Sequence, residues 1–311
     1  MKKIFVTILV ALCTMGIVAA QDLEKATEIY NNAAATIENN KAEAITLFEQ
    51  ALEMAGQLGD EGAEIAAQCK GIIPKLYMAL GKEQAAAKDL DNAVANLKKA
   101  AETGKSFGEN ELAEEAEALI PQILMADANG LLNAKDYEGA VAAYQKVIDV
   151  NPENAQAHLR KGQALVKVGK VDDAIKAFEL ASENGEEEAA AKQLSNVYVT
   201  KAVNCQKAKD MKGALENAQK STQYVDNPNA EKIIGISALS LKQNKVAVEG
   251  FEAYLSMSPD AKDKNQIMYQ LGTALVATGE NAKACGYFKQ IAQDPKFGEA
   301  ARYQITTLKC N

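Results

Sequence analysis

The residue types that most often carry out chemistry are scarce in this chain. His158 is its only histidine. A general base must lie within hydrogen-bond reach of the proton it takes, and no serine or cysteine pattern around His158 suggests a nucleophile for it to serve, so it reads as a packed structural side chain. The five cysteines, Cys13, Cys69, Cys205, Cys285 and Cys310, form no CxxC pair and have no histidine close in sequence. Neither zinc nor redox spacing is present. Thr103-Gly104-Lys105-Ser106 resembles the end of a phosphate-binding loop, but Lys99 stands where that motif needs its first glycine, and a helix rather than a strand precedes it. Gly104 is expected instead to cap the end of that helix. The acidic groups Glu114-Glu115 and Glu186-Glu187-Glu188 lack calcium-loop spacing and read as solvated faces. The expectation is a protein that is not an enzyme and holds no cofactor and no metal.

The elements that could position any function begin after residue 20. Lys2 and Lys3 precede an apolar run from Ile4 to Val18, which ends in Val18-Ala19-Ala20 before the polar Gln21. This is the pattern of a secretory signal peptide over 1–20, cleaved after Ala20. The run is shorter than the ~20 residues of a spanning helix, so no membrane anchor is expected and the periplasm is the predicted location. Lipidation at Cys13 is disfavoured because Leu12 occupies the place of a small residue. The balance of 34 Lys and Arg against 42 Asp and Glu, a net charge of -8, disfavours nucleic acid as a partner.

The body of the chain repeats itself. Around residue 160 the pattern reads Ala155-Gln-Ala-His-Leu-Arg-Lys-Gly162, then Leu165, Gly169 and Ala174-x3-Phe178-x2-Ala181. A second-helix core of the same form recurs from Ala44, Ala93, Ala140, Ala214, Ala247 and Ala284. This resembles the tetratricopeptide repeat, and the first three spacings are longer than its period of ~34 residues. Small residues of the two helices, Gly162 and Ala174, are expected to oppose one another while Leu165 and Phe178 fill the space beside them. Two stretched units echo each other through Pro74 and Pro121. Proline inside a helix costs about 3 kcal/mol, so each should either kink its helix or split it.

The resemblance implies an all-α fold, a right-handed superhelical solenoid of about seven helix hairpins with a C-terminal capping helix. The hairpins are expected at about 23–56, 61–103, 108–151, 154–184, 188–225, 228–258 and 264–294 within a solenoid over 21–295, and the cap at 296–311. The cap should bury Phe297, Ala301, Ile305 and Leu308. Cys285 and Cys310 would then come close enough either to form a disulfide in an oxidising compartment or to pack as small hydrophobes.

In the family that the chain resembles, fixed positions of each first helix line a concave groove. Carried onto this sequence, they include Lys75, Lys82, Asn129, Gln156, Arg160, Gln163, Lys167, Asn196, Thr200, Lys207, Lys232, Gln266, Tyr269 and Gln270. The only charged residues at these positions are Lys75, Lys82, Arg160, Lys167, Lys207 and Lys232, and all are basic. A basic, amide-rich channel on an acidic chain favours an extended acidic peptide or partner protein. The carboxylate-clamp pattern of the family is incomplete, since Met125 stands where it needs lysine and Thr200 interrupts the following unit. The expected function is an interaction scaffold or adaptor. Its rivals are a binder of a cell-envelope glycan or polymer and a structural homo-oligomeric component.

Overall fold

The computed structural model describes residues 20–310, and the expected signal peptide, with Cys13, lies outside them apart from Ala20. Fifteen α-helices and one short 3-10 turn account for the regular structure of these residues, with no strand. The described residues divide into two compact units: those up to residue 133 with 149–151, and 134–148 with those from residue 152 on. The division falls inside the third expected hairpin.

The first unit holds α1 (20–36), α2 (Lys41–Gln57), α3 (Ala63–Ala86), α4 (Leu90–Phe107) and α5 (Asn110–Asn133). Each helix from α2 onward packs on its neighbour in sequence, and α3 also touches α5. Phe48 meets Tyr30 edge-on at 5.3 Å. At α2, Asn40 caps the N-terminus by accepting from the Glu43 N–H at 3.2 Å, which satisfies a backbone donor that the helix cannot pair itself. Both prolines lie within continuous helices, Pro74 in α3 and Pro121 in α5, each of 24 residues. Neither proline splits its helix. The expected cap at Gly104 is corrected: α4 runs on to Phe107, and Gly108 closes it at φ 85°. Gly104 instead lets α4 lie close to the chain entering α5, since a Cβ there would come within 3.1 Å of Glu109 O and Ala113 Cβ.

The second unit holds α6 (Tyr137–Val150) apart from its last two residues, then α7 (Ala155–Val168), α8 (Val171–Glu183), α9 (Glu187–Lys207), α10 (Met211–Thr222), α11 (Pro228–Ser240), α12 (Asn244–Met257), α13 (Lys264–Thr278), α14 (Asn281–Gln290) and α15 (Gly298–Thr307). From α7 onward each helix packs against the next, and α7·α9, α9·α11 and α11·α13 also touch. Alternate helices thus lie side by side, the arrangement of stacked hairpins. In three hairpins the buried aromatic of the second helix explains the glycine of the first. A Cβ at Gly162, Gly235 or Gly272 would come within 2.5, 2.4 or 2.6 Å of the ring of Phe178, Phe251 or Phe288. The expectation that Gly162 faces a small residue is therefore corrected, since glycine there makes room for a ring. Close approach of backbones occurs instead at Gly250, whose Cβ would lie 2.8 Å from Gly235 N.

The copy near residue 195 carries a polar cluster within its core. Ser195 and Ser221 hydroxyls lie 2.8 Å apart, Ser221 donates to Ser195 O at 3.0 Å, and Asn227 donates to Ser195 Oγ at 3.0 Å. Both serines are fully buried. Every hydroxyl finds a partner, which is what makes such burial tolerable.

From α3 onward, the turns between paired helices share one feature. Gly169 and Gly279 adopt left-handed φ of 84°, and the corresponding residues Lys88, Lys135, Lys209 and Lys242 do so at 60–63°. Three of these lysines sit in the sequence Ala-Lys-Asp, at 87–89, 134–136 and 208–210. Asp136 and Asp210 then accept from Gly139 and Gly213 N–H at 3.0 and 2.9 Å. The motif ends one helix and caps the next.

Candidate functional site

In the second unit the expected groove residues lie on α7, α9, α11 and α13, helices in lateral contact. Gln156, Lys167, Asn196, Thr200 and Lys207 are exposed, while Arg160, Gln163, Lys232, Gln266, Tyr269 and Gln270 are half-buried. Their bases differ in state. Arg160 donates to Gln163 Oε1 at 3.4 Å. With its amide turned to satisfy both neighbours, Gln156 accepts from Arg160 Nε at 3.3 Å and donates to Glu186 Oε1 at 3.0 Å. Lys232 is engaged fully: it pairs with Asp263 at 3.1 Å and lies 5.3 Å from the centroid of the Tyr254 ring. Tyr254 in turn donates to Asp263 Oδ1 at 2.6 Å. Burial works to raise the Asp263 pKa, but hydrogen bonds from Tyr254 and Lys232 outweigh it and hold the carboxyl below its usual range. Burial and that same hydrogen bond push the Tyr254 phenol up to about 12. Lys167 and Lys207, in the last turns of α7 and α9, make no ion pair among the described residues.

Other expected positions belong to the interior or to local contacts. Tyr269 stacks on Phe297 at 5.9 Å and meets Phe288 at 5.8 Å, so it anchors the helix that follows. Thr200 turns back on its own helix to donate to Asn196 O at 2.9 Å. Gln270 Oε1 is buried with no hydrogen-bond donor among the described residues.

In the first unit, Lys75 is exposed on α3 and Asn129 half-buried on α5. Lys82 pairs with Glu115 at 2.8 Å. Glu115, Asp263 and Glu186 are the residues that the sequence reading of the groove missed. They occupy none of the carried-over positions, yet Glu115 and Asp263 neutralise its bases. The signal available was their spacing, 33 residues from Lys82 and 31 from Lys232, about one repeat along.

His158 is buried, and its Nε2 lies 2.8 Å from Pro152 O. A carbonyl only accepts, so Nε2 carries the proton in this bond. Cys285 and Cys310 are joined as a disulfide with Cα atoms 5.6 Å apart. Cys69 is buried, which pushes its thiol up to about 11, and Cys205 is half-buried beside Asn217. No group of three or more metal-ligating side chains is gathered among the described residues. No helix of these residues is long and apolar enough to cross a membrane.

Helix hairpins laid side by side, with a glycine under the second-helix ring at Gly162, Gly235 and Gly272, define a helical-repeat fold. Family models for the tetratricopeptide repeat match residues 125–193 and 266–296, so these two stretches carry tetratricopeptide repeats. Among solved structures, that of MamA protein is 20% identical over 58% of this chain and 94% of its own, with a TM-score of 0.39. YrrB, described as a TPR protein with an unusual peptide-binding site, is 20% identical over 58% of this chain and 91% of its own, with a TM-score of 0.37. TTC0263, a thermophilic TPR protein of Thermus thermophilus, is 15% identical over 60% of this chain and 98% of its own, with a TM-score of 0.28. No curated protein matches.

Proposed function

We propose that this chain is an exported, non-catalytic adaptor of the periplasm whose second unit takes an extended acidic peptide along α7, α9, α11 and α13. The observation that carries this reading is the pairing state of the bases. Lys167 and Lys207 are exposed and unpaired among the described residues, and Arg160 is held by amides alone. These cations are available to carboxylates, whereas Lys232 is engaged by Asp263. A preformed helical surface binds an extended chain at little cost in its own ordering. Hairpin limits near those expected from the repeat, and export through residues 1–20, belong to the same proposal.

A fluorescent ten-residue peptide rich in Asp and Glu, titrated against the chain at low salt, tests the reading. Arg160→Glu, Lys167→Glu, Lys207→Glu together should weaken binding about tenfold or more. Equal binding by this variant, or by a neutral Gln-rich control peptide, would overturn it. Lys232 is left unchanged because its loss would disturb Tyr254 and Asp263.

A further inference from the structure

Charge is distributed unevenly between the two ends of the hairpins in the second unit. Since consecutive helices from α7 to α13 run antiparallel and alternate helices are adjacent, the turns α7–α8, α9–α10 and α11–α12 share one edge. The loops α8–α9, α10–α11 and α12–α13 share the other. The turn edge carries Lys167, Lys170, Lys207, Lys209 and Lys242, all exposed and none in an ion pair among the described residues. Acids on this edge are already engaged. Asp210 caps Gly213 N–H at 2.9 Å, Asp172 pairs with Lys201 at 2.9 Å, and Asp173 lies 4.0 Å from Lys176. The opposite edge carries Glu183, Glu186, Glu187 and Glu188 around a single loop. Residues 185–189, with Lys192 and Gln193, line an open recess of about 440 Å³ there. Of these acids Glu188 is paired with Lys192 at 2.6 Å and Glu186 accepts from Gln156, while Glu183 and Glu187 are exposed.

Neighbouring packed helices are ~8–10 Å apart, so the lysines of successive turns form a row of separate cations rather than one cluster. Point charges on flexible stems suit carboxylates presented on a loop, without the fixed fork of arginine. We propose that the lysine edge of one chain docks the acidic 183–188 loop of a second copy. The two surfaces are different parts of the same molecule, so the contact is heterologous and propagates head to tail instead of closing as a two-fold dimer. The overall negative charge of the chain opposes association at long range. The contact therefore depends on local pairing, which added salt weakens because the Debye length is ~10 Å at 0.1 M.

The test uses light scattering coupled to size exclusion on the full mature chain at tens of micromolar, in low salt and in 0.3 M salt. Wild type should show a mass above the monomer in low salt that falls to the monomer in high salt. Lys209→Glu with Lys242→Glu should be monomeric at both, as should Glu183→Lys with Glu187→Lys. An equimolar mixture of the two variants should regain the wild-type mass, because the reversed charges are again complementary. Circular dichroism of each variant reads its folding, so a lost association is not mistaken for a lost fold. A wild-type monomer at low salt would overturn the proposal, as would variants that associate unchanged or a mixture that stays monomeric. If the wild type is monomeric yet the lysine variant alone loses binding to polyglutamate, the edge serves another anion and the proposal is equally overturned. Both variants leave Arg160, Lys167 and Lys207 unchanged, so acidic-peptide binding by the same variants should persist, which separates this contact from binding in the groove.

Discussion

Three residues in one triangle, Lys232, Asp263 and Tyr254, show how a position that is a ligand contact in the repeat pattern can become structural. The Tyr254 phenol is raised to about 12 against an ordinary value of 10. A raised folded pKa means that the stabilisation is complete below pH 10 and is lost as pH rises through about 12. In urea melts followed across that window, wild type should lose stability more steeply than Tyr254→Phe, which cannot ionise. Parallel curves would show that the phenol does not report this contact. Gly162 offers a second test at this scale. A Cβ there would meet Phe178 at 2.5 Å, and overpacking of this kind costs about 1–3 kcal/mol. Gly162→Ala should lower the denaturation midpoint, and pairing it with Phe178→Leu should recover part of the loss. A neutral Gly162→Ala would mean that the ring has room to move.

At the scale of elements, the left-handed turn lysines are where sequence and backbone disagree. A non-glycine residue in this region costs roughly 1–2 kcal/mol, partly offset because a cation suits the C-terminal end of the preceding helix dipole. Lys135→Gly should therefore raise stability by about 0.5–1 kcal/mol in equilibrium unfolding, an effect that Lys135→Ala should not reproduce. Helix period and the recurring second-helix cores were legible in the sequence because they follow from packing along a single hairpin, whereas the ring that Gly162 makes room for was not. The end of α4 was misread because Gly104 and Gly108 are both good caps by composition, and only the contact between Gly104 and the chain at Glu109 and Ala113 separates them. The pairing of Lys82 with Glu115 and of Lys232 with Asp263 was illegible for a similar reason. It depends on the helix of the next repeat, not on the repeat in which the lysine was read.

At the scale of the molecule, a stack of repeats touches only its neighbours, so its ends are exposed to fraying unless something secures them. Here α15 performs that task with little apolar area. Ala301 is its one buried hydrophobic side chain, with Phe297, Ile305 and Leu308 only partly covered. The Cys285–Cys310 disulfide compensates by tying the end of α15 to α14 across 25 residues. Closing a loop of that length contributes about 3 kcal/mol in chain-entropy terms. Its effect should be local, since the cap packs on the last hairpin. Hydrogen exchange on the chain before and after reduction should show amides of residues 298–307 losing protection by about a hundredfold, while α7 to α12 keep theirs. Uniform loss across the second unit would mean that the repeats unfold as one block. In that event the cap secures the whole stack and not merely its last hairpin.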